Sequence, residues 1–187
     1  MRIVDALGQR WYLLGRMKPP GTMTAIYIDA DACPVREEAL LVAEKRELRA
    51  FVVANGSRPL RRPRYAAAEL VLVAEGADRA DDWIAERIGE GDVCVTADIP
   101  LASRCLAAGA KAVSPRGHRW SEDNIGSALA GREIARHLRE LGQETHHAPM
   151  GKADRSRFLV ALDAALSERH PAPAPRGPGG VTPGWGE

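Results

Sequence analysis

Apolar positions along the chain fall into two periods. Ala25-Ile26-Tyr27-Ile28 is a continuous apolar run that closes on Asp29. A short run of this kind, β-branched and aromatic, reads as a buried strand. Val35 to Arg46 then carries apolar residues at Val35, Ala39, Leu40, Val42 and Ala43 with charges between them. That spacing predicts an amphipathic helix, with Pro34 suited to its first turn. Arg49 to Ala54 is a second strand. A strand, a helix and another strand imply parallel pairing through a right-handed crossover. The alternation continues with a strand at Leu70 to Ala74, a helix at Ala80 to Ile88 and a strand at Val93 to Asp98. A helix at Ile99 to Ala108, capped by Gly109, leads to a short last strand at Ala110 to Val113. Ser114 to Trp120 reads as a basic loop, and Ser121 as the cap of a helix running to about Leu141. After a linker over 142–151, holding His146 and His147, comes a final amphipathic helix from Lys152 to Glu168. Those two histidines have no partner at metal-ligand spacing. The pattern predicts a single α/β domain over residues 23–168, a three-layer α/β/α arrangement around a mainly parallel sheet.

The ends read differently. Residues 1–22 contain a brief apolar patch, Trp11-Tyr12-Leu13-Leu14, and a breaker, Pro19-Pro20-Gly21. They do not fit a secretory signal and are read as a dispensable or non-native extension, with Met23 just before the first strand. Residues 169–187 are rich in Pro, Gly and Ala and are expected to be a disordered tail.

Composition narrows the function. Of 187 residues, 45% are hydrophobic and only 5% aromatic, so the core must be built from Ala, Val, Leu and Ile. Lys plus Arg is 26 and Asp plus Glu 25, a net charge of +1. A nucleic-acid partner must therefore be met by a local patch, not by the bulk field. Cys33, Cys94 and Cys105 include no Cys-X-X-Cys pair. That argues for reduced thiols in a cytoplasmic protein, without a disulfide frame or a zinc site. No apolar run reaches the ~20 residues that span a bilayer.

The chemistry gathers at strand ends. The first strand ends in Asp29-Ala30-Asp31. Asp29 and Asp31 share one side of the extended chain, and a hard divalent cation, Mg²⁺ or Mn²⁺, would relieve their repulsion. Alternatively Asp31 caps the next helix and Asp29 is a solvated strand end. The second strand leads into Asn55-Gly56-Ser57 and then Arg58, Arg61, Arg62 and Arg64, interrupted by Pro59 and Pro63. Guanidiniums displayed on an irregular loop favour phosphate, though such a loop can also simply face water. Asp81 and Asp82 open a helix, and Thr96 and Asp98 close another strand. In a parallel sheet these ends lie along one edge, where open α/β folds bind ligands. Which of Asp81 and Asp82 faces the site is left open, since neighbours on a helix point about 100° apart. Cys33 and Cys105 read as small core residues.

These residues also sit in longer stretches: Asp29 to Val35, Ala54-Asn55, Gly76 to Ile84, Gly91-Asp92 to Ala102, Pro115-Arg116-Gly117 and Asp154 to Asp163. Over about Thr24 to Leu166 the chain resembles the YaiI/YqxD family of uncharacterised bacterial proteins. That family looks similar to PIN-like nuclease domains, which implies Mg²⁺ or Mn²⁺ held by acidic residues. Carried over by position, the resemblance implies Asp29, Asp31, Asp82 and Asp98 as catalytic ligands, with Asp81 next to them. Asn55, Arg58, Arg61, Arg62, Thr96 and Arg116 are the expected substrate contacts.

Three functions are compatible with this reading. The favoured one is a metal-dependent nuclease acting on RNA or another phosphodiester. A haloacid-dehalogenase-like phosphatase would use Asp29 as nucleophile, but no lysine falls at a suitable place. A nucleic-acid-binding protein without catalysis would use the Arg loop and Arg116.

Overall fold

The computed structural model describes residues 24–56, 60–76, 78–140 and 149–168. The proposed extension at 1–22, the tail at 169–187, the paired histidines and Arg58 lie outside the described residues. Six strands form one sheet: β1 (Ala25–Asp29), β2 (Arg49–Asn55), β3 (Ala68–Val73), β4 (Val93–Val95), β5 (Lys111–Val113) and β6 (Arg119–Trp120). Their order is β3-β2-β1-β4-β5-β6. All neighbours are parallel except β5 and β6. The helices are α1 (Arg36–Lys45), α2 (Arg79–Arg87), α3 (Ile99–Ala107), α4 (Glu122–Glu140) and α5 (Lys152–Ser167). No helix among the described residues is long and apolar enough to cross a membrane.

Strand alternation divides the core into two halves. Ile26, Ile28, Val52, Val93, Val95 and Val113 pack against α1 and α5, with Phe158 and Leu162 buried among them. Ala25, Tyr27, Val53, Cys94 and Ala112 face α2, α3 and α4. The fold is thus three-layered α/β/α, as the periodicity predicts. The aromatic-poor composition is used economically. Tyr27, Phe51 and Trp83 form a single cluster with ring centroids 5.0–6.3 Å apart, and it seats α2 on β1 and β2.

Three local expectations are corrected. The first strand stops at Asp29, and Ala30–Ala32 form a single 3₁₀ turn. The period-two argument for Asp31 therefore does not apply, because the chain is no longer extended there. The fourth strand ends at Val95, and Asp98 instead caps α3 by accepting the Leu101 N–H at 2.9 Å. The basic loop before α4 is a hairpin that adds β6, which is too short to show alternation. Its turn closes through Gly117 N–H to Ser114 O at 2.9 Å. Gly117 has φ +81°, and a Cβ there would lie 2.6 Å from the Arg157 backbone. The Pro115-Arg116-Gly117 stretch is thereby explained as a turn pressed onto α5.

Asp92 is a structural acid. It is buried, and it accepts the N–H of Ala25 at 2.9 Å and that of Gly89 at 3.1 Å, pinning the start of β1. Orphaning buried backbone donors costs about 1–3 kcal/mol each. Asp92→Ala is therefore expected to lose about 3 kcal/mol in urea denaturation, and Asp92→Asn, which keeps one acceptor, distinctly less.

Candidate functional site

The cavity of interest forms because two side-chain periods meet at the carboxyl edge of the sheet. Asp29 continues the Ala25 and Tyr27 face of β1, toward α2 and α3. Thr96 continues the Cys94 face of the neighbouring strand and donates its hydroxyl to Asp29 Oδ2 at 2.8 Å. The same hydroxyl accepts the Asp98 N–H at 2.9 Å, which fixes the start of α3. Asp31 leaves the 3₁₀ turn and accepts the Asn55 N–H at 3.0 Å. Helix α2 then brings Asp81. The resulting cavity of about 200 Å³ is lined by Asp29, Asp31, Asn55, Asp78, Arg79, Asp81 and Asp98, among others.

The α2 stripe decides between the two adjacent acids. Ala80, Ile84 and Ile88 are buried, at intervals of four. Asp81 falls on the flank of that stripe and lines the cavity. Asp82 falls opposite it and pairs with Arg104 at 2.8 Å, both of them exposed. Asp82, the expected ligand, is therefore not among the residues lining the cavity, and Asp81 is. The signal was present in the sequence as the spacing of Ala80, Ile84 and Ile88.

Other expected contacts divide in the same way. Asn55 lines the cavity. Thr96 has no exposed surface, so its hydroxyl orients Asp29 and cannot touch a substrate. Arg61 and Arg62 are exposed on the segment between β2 and β3 and do not line the cavity. Arg116 lies 3.7 Å from Asp154 at the start of α5, away from the cavity. Sequence reasoning missed Arg132 of α4, which reaches Asp98 Oδ2 at 3.2 Å.

The electrostatics are unbalanced. Burial, and then the charges of Asp29, Asp98 and Asp78, push the Asp81 carboxyl from 3.8 up to about 6. Burial likewise raises Asp29, against the stabilising bond from Thr96, and Asp31 and Asp98 raise it further. Burial pushes the Cys33 thiol up to about 12, against thiolate formation at neutral pH.

The donor set, all carboxylate oxygen, fits a hard cation of the Mg²⁺ or Mn²⁺ class. It does not form a closed cage: among the described residues no three His, Cys, Asp or Glu side chains converge closely enough to hold a metal ion.

Comparison with known proteins gives the relationship. The family model described as "Uncharacterized BCR, YaiI/YqxD family" matches residues 27–168. The chain belongs to the YaiI/YqxD family. It is similar to a UPF0178 protein of Rhodospirillum centenum, 50% identical over 150 residues that cover 78% of this chain and 96% of that protein. A UPF0178 protein of Caulobacter vibrioides is 51% identical over 155 residues, covering 82% and 99%. One of Parvibaculum lavamentivorans is 47% identical over 155 residues, covering 82% and 100%. No solved structure matches the chain at a significant level. The cavity residues Asp29, Asp31, Asn55, Asp81 and Asp98 all fall inside the YaiI/YqxD match.

The raised Asp81 carboxyl links to stability. The folded state holds that proton more tightly than the unfolded chain does, so stability falls as pH rises from about 4 to about 6. Two units would be worth about 3 kcal/mol, but Asp81 is only half-buried and solvent screens it, leaving on the order of 1 kcal/mol. Asp81→Asn should therefore stabilise the protein by about that amount at pH 7 and not at pH 4, read by thermal unfolding.

Proposed function

We propose that this protein is a divalent-metal-dependent phosphodiesterase acting on nucleic acid, with RNA the favoured substrate. The observation that carries the reading is the cavity itself. Carboxylates from the end of β1, the 3₁₀ turn, α2 and the start of α3 line one recess at the carboxyl edge. Such an edge is where α/β folds place ligands. Asp29, 5% exposed, is the deepest of them.

When bound, Mg²⁺ or Mn²⁺ would supply Lewis acidity toward a phosphoryl oxygen and a more acidic water. Asp29 and Asp81 would hold the ion or its water, and Thr96 would keep Asp29 in place. Asp98 joins the cavity to α3 and α4 through its cap and its ion pair. Asn55 and Arg79 supply polar surface on the β2 and α2 sides. A phosphatase with Asp29 as nucleophile draws less support, because no lysine is among the lining residues. Lys111 is turned instead to the Ala165 carbonyl at 2.6 Å, at the end of α5.

A labelled single-stranded oligoribonucleotide should be cut with Mn²⁺ or Mg²⁺ and left whole in EDTA. Asp29→Asn and Asp81→Asn should each lower the rate by roughly a hundredfold or more. Asp82→Asn should lower it far less. Binding that is indifferent to EDTA, with no cutting, would reassign the protein as a binder without catalysis.

A further inference from the structure

One face of α4 changes character along its length. Ile125, Leu129, Arg132 and Arg136 follow one another at spacings of four, three and four, so they form one stripe. Ile125 is buried, and Leu129 packs against the α2/α3 half of the core. The next two positions on that stripe are arginines. The switch coincides with the edge of the sheet. Helix α4 follows β6, which runs antiparallel to β5, so it starts at the amino edge and climbs toward the carboxyl edge. It reaches the level of the cavity at Arg132, which pairs with the cap residue of α3. Eight further residues, to Glu140, carry it onward by up to about 12 Å at 1.5 Å per residue. From Ala130 to His137 every residue but Ala135 is exposed, as expected of a helix leaving the body of the fold.

We propose that this projecting half of α4 is a wall of the substrate cleft, with Arg132 and Arg136 contacting the phosphates of a single nucleic-acid strand. The inference rests on the phosphodiester reading and names the strand's second contact surface. A polyanion needs a basic rim to approach carboxylates at all, since cation contacts supply most of the affinity for phosphate chains. Arg132 is half-exposed and already holds an anion, Asp98 Oδ2, so its guanidinium is placed for a phosphate beside the cavity. Arg136 carries the line one turn further and pairs with Glu133 on its own helix. The recess holds about 200 Å³, room for one backbone segment at the acids.

The alternative is that Arg132 only ties α4 to α3. Anisotropy of a labelled single-stranded oligonucleotide in EDTA, at several salt concentrations, separates the two. Wild type, Arg132→Gln, Arg132→Gln with Arg136→Gln, and Arg46→Gln as a distant control are compared. Each lost phosphate contact should weaken binding about fivefold and flatten the log–log salt slope by about 0.7. The control should change neither. A structural tie would alter thermal stability but not the slope. Unchanged affinity and slope in the double variant overturn the proposal, even if the wild type cuts RNA. The expected losses in a protein that never cuts sustain it and remove the catalytic reading. No binding by the wild type overturns both.

Discussion

The buried hydrogen bond from Thr96 to Asp29 is the constraint around which the carboxyl edge is built. It joins two adjacent parallel strands at the point where both leave the sheet. A carboxylate so nearly enclosed needs strong partners, because burying charge without them is costly. A neutral hydroxyl and the backbone N–H of Asp31 are modest ones. The ionised groups that act on Asp29 are Asp31 and Asp98, which share its sign. The hydrogen bonds settle where the carboxylate points and bring it no opposite charge.

Other acids in the same chain show the contrast. Asp92, at the opposite end of β1, accepts two backbone N–H groups. Asp154 accepts the Gly151 N–H at 2.9 Å and faces Arg157 and Arg116, and the backbone bond first, then the two guanidiniums, hold it below the usual carboxylate range. These acids are satisfied and organise the fold. Asp29 and Asp81 are shifted the other way, by burial first and then by neighbouring carboxylates, Asp31 and Asp98 for the one and Asp29, Asp98 and Asp78 for the other. Groups displaced in that sense cluster at functional sites more than at structural ones. Along β1 itself, the acid at the amino end is satisfied by backbone donors and the acid at the carboxyl end faces like charges.

Much of this was legible in the sequence because it depends on period. Apolar runs gave β1 and β4 and put Asp29, Thr96 and Asp98 at strand ends on one edge, while the division into two core faces came from the packing. Helical spacing gave α1, α2, α3 and α5 to within a residue or two. What failed to show depended on local chain direction. Asp31 sits in a 3₁₀ turn that no periodic argument anticipates, and β6 has two residues, too few to display a pattern. Arg116 read as a substrate contact, because its partner Asp154 lies on an element far along the chain. Arg132 was missed because, read as part of an exposed amphipathic helix, it is one charge among many. Its meaning comes from Asp98, brought to it by the packing of α3 and α4.

The choice between Asp81 and Asp82 shows how one helix can separate two identical side chains into different roles. The aromatic cluster and the buried Ala80 and Ile84 fix the rotation of α2. Once rotation is fixed, a step of 100° turns Asp82 outward to an exposed ion pair, of a kind worth at most about 1 kcal/mol. The same step leaves Asp81 half-desolvated against like charges. A sequence selected only for stability would place an amide or an alanine there, since the carboxylate opposes folding at neutral pH. Its presence, on a helix held so firmly by apolar contacts that it cannot turn away, is a local cost in stability, and on the proposed reading the charge is what the ion requires.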